Sequence, residues 1–307
     1  VDVKLEAHPN GGNIGAAALV IVGRRGPGSA TMTVTGDGTT LELDGQDGAA
    51  SLQVGRETSG ELSLSAGAAI RLIDPGASPG SGNSLGESVS VGRNGGSGLL
   101  TVDDATLAVS SASGAFIFVG QSGGSGSASV QNGSVVTVHD TEAAGGPGAN
   151  ITLGRRAGFA TSGSGMLSVL GGSHVSVRSD NNFAGLFVGR ETDALGVLSV
   201  SDAGTAVNVT GGSSAGVTVG RDATAVGELG VHDGAVLTVD SNDSFVDIGR
   251  DAGSQGTVTV SGGGRLAVTG VTDADVLVGA AFAAFGRANA GDGTLRVTGA
   301  DSVVCLL

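Results

Sequence analysis

Residues 246–268 read VDIGRDAGSQGTVTVSGGGRLAV, and this stretch decides the fold. It contains three short runs in which apolar side chains alternate with other residues: Val246–Ile248, Val258–Val260 and Leu266–Val268. Alternation with a period of two is typical of β-strands that bury one face. A Gly-Arg pair closes the first run, and glycine-rich turns separate the runs. The stretch therefore predicts three short strands joined by tight turns.

The same unit recurs along the chain, and its most regular mark is an apolar–x–apolar–Gly motif. The motif glycines are Gly23, Gly55, Gly92, Gly120, Gly154, Gly189, Gly220, Gly249 and Gly279, at steps of 28 to 37 residues. Arginine follows the glycine in seven of the nine copies, and Gln121 and Ala280 replace it in the other two. Self-similarity with a period of about 20–50 residues is the signature of solenoids and related repeat folds.

A strand with one apolar face needs a second wall, and the chain has no predicted helix to supply it. Coiling three strands per turn buries all three apolar faces together and stacks each strand about 4.8 Å from its counterpart one repeat away. Strand twist favours right-handed winding. We therefore expect an all-β fold, a right-handed parallel β-helix (a three-stranded β-solenoid) of about nine coils over residues 17–307. Residues 1–16 lack the repeat and are predicted to form an N-terminal cap or leading segment.

Composition and charge exclude several classes of function. The chain of 307 residues has 59 glycines and neither tryptophan nor tyrosine, which suits narrow, regular β-structure. Its net charge of −14 repels phosphate backbones, so no nucleic-acid partner is expected. No apolar run reaches the roughly 18 residues of a membrane-spanning helix, so no transmembrane helix is expected. A single cysteine, Cys305, excludes a disulfide framework within the chain.

The Gly-Arg pairs place arginine side chains in one column along the predicted solenoid. Acidic residues follow several of these arginines, which predicts a surface ladder of ion pairs; the alternative is a track that binds an anionic saccharide. Two phenylalanines point outward from the first strand of their repeats and are expected to form a modest apolar patch for protein contact. The candidate binding residues are Phe118, Phe187, Arg190, Arg221 and Arg250.

A second column faces outward from the middle strand of each repeat and consists mainly of hydroxyl side chains. Its members are Thr33, Ser63, Thr101, Ser129, Ser168, Ser199 and Thr259, interrupted by Gly230 and Arg296. Hydroxyl columns stabilise stacked strands by mutual hydrogen bonding. Ice-binding solenoids also carry threonine columns, but typically as flat pairs, whereas this column is single and mixed with serine. A structural role is therefore expected.

Catalytic signatures do not emerge from the sequence. The four histidines fall at different positions of the repeat, so neither a Ser-His-Asp pattern nor a zinc-ligand spacing is present. No cofactor is expected, and calcium binding has no sequence motif in its favour. The prediction is a protein that is not an enzyme. The alternative is a polysaccharide-acting β-helix enzyme, which would need carboxylates or bases grouped on one face.

The repeat Val-Gly-Arg-x(n)-Gly-x-Leu-x-Val-x-x-Gly-x-x-Leu-x-Val resembles that of bacterial autotransporter (type V secretion) passengers and PEP-CTERM surface proteins. The resemblance covers about residues 17–307. It implies an exported β-helix, extracellular or at the outer-membrane surface of the cell, that serves as a structural stalk or adhesin without catalytic residues. The implied partners are a host cell, a glycan or a neighbouring-cell surface. A subunit that associates end to end into a filament or surface layer is the alternative.

Overall fold

The computed structural model of the protein describes residues 2–6, 18–46, 49–74, 87–156, 161–278 and 291–307. Within these ranges the chain is all-β, with strands joined by turns and without a helix. Accordingly, this part of the chain has no helix of the length and apolar character that crossing a membrane requires. Two parts of the predicted architecture lie outside these ranges, namely residues 7–17 and the motif at Gly279 and Ala280.

Twenty-six strands follow one another along the chain. In order they are β1 (Asp2–Glu6), β2 (Ala18–Val22), β3 (Ser29–Thr35), β4 (Thr40–Asp44), β5 (Ala50–Val54), β6 (Ser59–Ser65), β7 (Ala69–Asp74), β8 (Glu87–Arg93), β9 (Ser97–Asp103), β10 (Thr106–Ser111), β11 (Ala115–Gln121), β12 (Ser125–Gln131), β13 (Val135–Asp140), β14 (Ala149–Arg155), β15 (Ser164–Val169), β16 (His174–Ser179), β17 (Phe183–Val188), β18 (Leu195–Val200), β19 (Ala206–Gly211), β20 (Ser214–Val219), β21 (Val226–Val231), β22 (Val236–Ile248), β23 (Gln255–Ser261), β24 (Arg265–Val278), β25 (Asp292–Thr298) and β26 (Val303–Leu306).

These strands stack in parallel on partners one repeat away in the sequence. Nine of them form one sheet, in which β3, β6, β9, β12, β15, β18, β21, β23 and β25 follow one another. The other seventeen form a second sheet, in which two series of stacked strands are joined because β22 and β24 are long enough to take part in both. This arrangement is a β-solenoid, and it confirms the predicted all-β fold of stacked parallel strands.

The interior is a continuous apolar core built from in-register columns. Leu52, Val89, Ile117, Ile151 and Leu186 are successive partners in one such column, and each is at most 5% exposed. Burying a side chain of this size contributes about 1.5–3 kcal/mol relative to leaving it in water. Because the neighbouring repeats supply the walls of each layer, the contribution is realised only in the stack.

The motif glycines from Gly23 to Gly249 stand at corners that exclude a side chain. Gly92 has φ +70°, and a Cβ at this position would lie 2.1 Å from the backbone oxygen of Ser125 in the next repeat. Gly55 has the same φ, and its Cβ would lie 2.0 Å from the oxygen of Ser97. The left-handed backbone and the close approach both require glycine. The tight turns predicted at these glycines are therefore confirmed.

Strand register also confirms the hydroxyl column. Thr33 pairs with Ser63, and the series continues through the predicted members to Thr259 and Arg296. At the N-terminus, β1 pairs in parallel with β4, so residues 2–6 of the predicted cap add a strand to the stack.

Candidate ligand-binding face: the arginine column

The residues that follow the motif glycines form one column, which we call the arginine column. Its members in the described ranges are Arg24, Arg56, Arg93, Gln121, Arg155, Arg190, Arg221 and Arg250. Register pairs Gln121 with Arg93 on one side and Arg155 on the other. Backbone hydrogen bonds extend the stack around the corner, as when the Arg93 N–H donates to the Gly55 carbonyl at 2.8 Å. The side chains of the arginine column therefore project from equivalent positions in successive repeats.

Carboxylates follow the column over its C-terminal half. The Nε atoms of Arg155 and Arg190 lie 3.7 and 3.3 Å from Oε1 of Glu191, which thus bridges two repeats. Arg221 lies 3.3 Å from Asp222, and Arg250 lies 3.8 Å from Asp251. The predicted ladder of ion pairs is present here. Because these side chains are partly exposed, each pair contributes about 0–1 kcal/mol.

Guanidinium groups of the column also cover phenylalanine rings. The Cζ atom of Arg155 lies 4.4 Å from the ring centroid of Phe118, and that of Arg190 lies 4.5 Å from the centroid of Phe187. Arg221 covers the same Phe187 ring from the next repeat at 5.9 Å. Phe187 is consequently only 7% exposed, so the expectation that it belongs to an open apolar patch is wrong. Phe118 remains half-buried.

Further phenylalanines on this face were not singled out from the sequence. The rings of Phe116 and Phe118 stack at 5.7 Å, and those of Phe183 and Phe245 stack at 6.1 Å. The Phe245 ring lies against Gly216, where a Cβ would come within 2.2 Å of the ring. Phe245 and Gly216 are register partners. The glycine in register with Phe245 is a signal in the sequence that could have located this ring; Phe116 and Phe183 pair with Ser88 and Ser214 and have no such signal.

The alternation of charges breaks near the middle of the column. Asn94 follows Arg93, Ser122 follows Gln121 and Arg156 follows Arg155, so the acidic residue found after Arg190 or Arg221 is missing in three successive repeats. Arg93 forms no ion pair with any described residue. Burial first, and then the charges of Arg56 and Arg155, hold the pKa of the Arg93 guanidinium below its usual value. This part of the column is positively charged on a chain whose net charge is −14.

Polar atoms at the break lack partners. The Nε atoms of Arg93 and Arg155 and the Oε1 atom of Gln121 are buried and have no hydrogen-bond partner. Gln121 is 5% exposed. Both arginine side chains are partly exposed, and that of Arg155 keeps 27% of its surface in contact with solvent.

Two buried carboxyl groups lie on the opposite, inner side of the wall. Glu87 is fully buried; it accepts a hydrogen bond from the Ala50 N–H at 3.1 Å. Asp74 accepts one from Ser113 Oγ at 3.2 Å. Burial raises the pKa of Glu87 to about 7, and the charge of Asp74 adds to the rise. Asp74 is the last residue of β7 and Glu87 is the first residue of β8.

A group of polar side chains around His139 on the outer surface has the residue types of a catalytic site but not the geometry. His139 Nε2 lies 3.1 Å from Asp180 Oδ1, and Arg178 Nη2 lies 2.8 Å from the same oxygen. The hydrogen bond from His139 is the main reason that the pKa of Asp180 is low. Ser110 is the register partner of His139, but no hydrogen bond joins the two side chains. A nucleophile and its base need that hydrogen bond.

Metal ligation and enclosed binding are not supported in the described ranges. No group of three or more His, Cys, Asp or Glu side chains there is arranged to hold a metal ion. An enclosed cavity between Leu100, Ala128 and Leu167 is apolar and measures about 20 Å³. A depression of about 320 Å³ beside Glu228 and His232 is open to the surface.

The chain matches no protein-family model, no curated protein and no solved structure. The arginine column is therefore interpreted from its own geometry. It combines partly exposed arginine side chains, half-buried aromatic rings and a break in its acidic partners.

Proposed function

We propose that the chain is a structural or adhesive solenoid of a bacterial cell surface or secreted fraction and that it has no catalytic activity. In this proposal the stacked strands wind to the right with three strands per turn and nine coils. The observation that carries it is the parallel register, which is kept from Val54 to Val91 and on to Val119 across steps of different length. In a chain built this way, the buried side chains stabilise the contacts between successive repeats.

The surface supports a scaffold more than it supports an enzyme. Small-molecule sites are typically clefts of about 300–1,000 Å³ that enclose most of the ligand and carry a few convergent polar groups. The depression of about 320 Å³ beside Glu228 and His232 has sufficient volume, but it is open to the surface and would not enclose a ligand. The enclosed cavity of about 20 Å³ is too small for a saccharide, and its lining is apolar. The buried pair Asp74 and Glu87 faces the interior and cannot reach a polymer on the surface.

Labelling of cells tests the location. Antiserum raised against the purified chain is applied to intact cells of the source organism, to permeabilised cells and to the culture supernatant. We expect label on intact cells or protein in the supernatant, with antiserum against a cytosolic enzyme as the negative control on intact cells. Label that appears only after permeabilisation would overturn the proposed location.

Two assays test the adhesive and the catalytic statements. A strain that lacks the gene should adhere less to its usual surfaces than the parent strain, and a plasmid copy should restore adhesion. The purified chain is also incubated with acidic and neutral polysaccharides while reducing ends and unsaturated products are followed. Measurable turnover would exclude a purely structural or adhesive role and would favour a polysaccharide-acting enzyme.

A further inference from the structure

The geometry points to an anion-binding site at Arg93, Gln121 and Arg155, which we propose binds carboxylate groups of a linear acidic polysaccharide. The site deepens the proposed surface role, because it names the ligand class that an adhesive solenoid would meet there. Its geometry, however, is a property of the purified chain, and it is tested without reference to location.

Charge is the first argument for the site. Between Glu57 and Glu191 the column contains two arginines, Arg93 and Arg155, and no acidic residue follows either of them or Gln121. Glu57 is already paired with Arg25 at 2.6 Å, and Glu191 lies beside Arg190 as well as Arg155. The protein itself thus leaves the charge of Arg93 uncompensated. An anion from outside would remove the repulsion between the guanidinium groups.

Partial burial is the second argument. Both side chains are only partly exposed, and this burial is the main reason that the pKa values of the Arg93 and Arg155 guanidinium groups lie below the usual value of arginine. Their buried Nε atoms have no hydrogen-bond partner, although Arg155 Nε lies 3.7 Å from Glu191 Oε1. A carboxylate on such a half-buried guanidinium forms charge-assisted hydrogen bonds, which are roughly twice as strong as neutral ones. A fully solvated lysine or arginine would stabilise a bound carboxylate less than these partly buried groups.

Spacing and neighbours select the kind of ligand. Arg93 and Arg155 are two register steps apart, about 10 Å along the stack. One small anion cannot contact both, whereas a chain that presents successive anionic groups can. The Phe118 ring lies in the repeat between them; Arg155 covers one of its faces, and the part of the ring that stays exposed is an apolar surface for the C–H groups of a sugar. The Gln121 side chain lies in register between the two arginines and is only 5% exposed, so it separates the two guanidinium groups and does not itself contact a sugar.

Nucleic acid shares the negative charge but fits less well. Duplex DNA carries one negative charge about every 1.7 Å of its axis. A chain with net charge −14 repels such a density over all but this short stretch. A uronic-acid polymer is less densely charged and has sugar faces suited to a phenylalanine.

The test uses the whole chain and a matched pair of ligands. Binding of oligogalacturonate and of its methyl-esterified, uncharged form is measured by calorimetry at low and at moderate salt. We expect the acidic oligosaccharide to bind, more weakly as salt rises, and the esterified form not to bind. Equal binding of the two forms, or binding of neither, would overturn the site. Single-stranded DNA binding as tightly as oligogalacturonate would overturn the ligand class.

Variants at the column test the residues. Arg93→Gln repeats the residue that the chain already carries at position 121, so the fold should tolerate it, and affinity should fall at least about tenfold. Gln121→Glu introduces a carboxylate between the two guanidinium groups; it should abolish binding and raise the melting temperature. Arg265 is an exposed arginine of β24, outside the arginine column. Arg265→Gln makes the same change of net charge there and should leave the affinity for the oligosaccharide unchanged. Unchanged affinity of a folded Arg93→Gln would disprove the assignment, whatever cell labelling shows.

Discussion

At the scale of single residues, Glu87 occupies a position that neighbouring repeats fill with alanine. Ala115 is its register partner, and Ala149 and Ala184 continue the same column. A carboxyl group here is fully buried, and its Oε2 atom has no hydrogen-bond partner. Because the charged form is the costly one in such a place, the side chain is held protonated to a higher pH than in water.

This burial makes stability depend on pH. The pKa of Glu87 is raised from 4.5 to about 7, so between these values the folded chain keeps a proton that the unfolded chain releases. Its contribution to stability is therefore present below about pH 4.5 and is lost as pH rises through 7, a change of about 3 kcal/mol. We expect the melting temperature to fall from pH 5 to pH 8, and Glu87→Gln to flatten that fall.

The control for this titration is Glu61→Gln. Glu61 lies on an outer strand face and is exposed, so its replacement should preserve the pH slope of the parent chain. A Glu87→Gln variant whose melting temperature follows the parental slope would show that Glu87 does not titrate in this range.

Ala128 leaves a gap in a column that is otherwise filled by larger side chains. Leu100 and Leu167 are its register partners, and the cavity of about 20 Å³ lies between them. Ala128→Val should occupy this space and raise the free energy of unfolding by about 0.5–2 kcal/mol. Urea denaturation followed by circular dichroism measures the change.

Ala149→Val is the matched control for Ala128→Val, because it adds the same groups at a position without a cavity. Ala149 is fully buried in a column of alanines, so two added methyl groups should strain the wall and lower stability by about 1–3 kcal/mol. If both valine variants shift stability in the same direction, the gap at Ala128 is not available for filling.

At the scale of the elements, two glycines at one corner between strands allow the effect of backbone conformation to be distinguished from the effect of close packing. Gly92 and Gly95 belong to the same corner and have φ values of +70° and +81°. A Cβ on Gly95 would meet nothing within 4 Å, whereas one on Gly92 would meet the backbone of Ser125. Gly95→Ala should cost about 1–2 kcal/mol for the left-handed backbone alone. Gly92→Ala should cost clearly more, since the next repeat must move away.

Chemical denaturation of the two alanine variants, side by side with the parent chain, measures this difference. Equal losses at positions 92 and 95 would mean that the corners adapt to a side chain and do not fix the distance between repeats.

The periodicity of the sequence was sufficient to predict strands and corners wherever the same residue type recurs at the same position of each repeat. The motif glycines predicted the left-handed corners, and the hydroxyl residues from Thr33 to Thr259 predicted the register. Periodicity failed where the mark was absent. The stretch before Glu87 is rich in proline and glycine, which hides where the strand resumes. The length of β22 and β24 depends on corners that stay extended, which alternation of apolar residues does not specify.

The arginine column shows the same division for the candidate site. The spacing of Gly-Arg pairs predicted the column and its ion pairs, but not the burial of Phe187 under Arg190 and Arg221. Which way a long side chain folds depends on rotamers and on neighbours in the next repeat. The missing acids after Arg93 and Gln121 were visible in the sequence, and they gained meaning only when register made these residues neighbours.

At the scale of the whole molecule, each repeat contacts mainly the repeats beside it. Stability in such a stack is close to a sum of local and nearest-neighbour contributions. Gly92→Ala should therefore speed amide hydrogen exchange in β8, β9, β11 and β12, and leave β20 to β24 near the parental rate. Exchange that accelerates equally in both regions would show that the chain opens as one cooperative unit.

The unequal steps between repeats have an evolutionary consequence. Gly55 and Gly92 are 37 residues apart and Gly92 and Gly120 only 28, yet Val54, Val91 and Val119 remain partners. Turn length is thus uncoupled from the order of the interior, and a longer loop costs little closure entropy. Insertions and deletions at the corners can diversify the outside of the molecule while selection on the buried columns continues undisturbed.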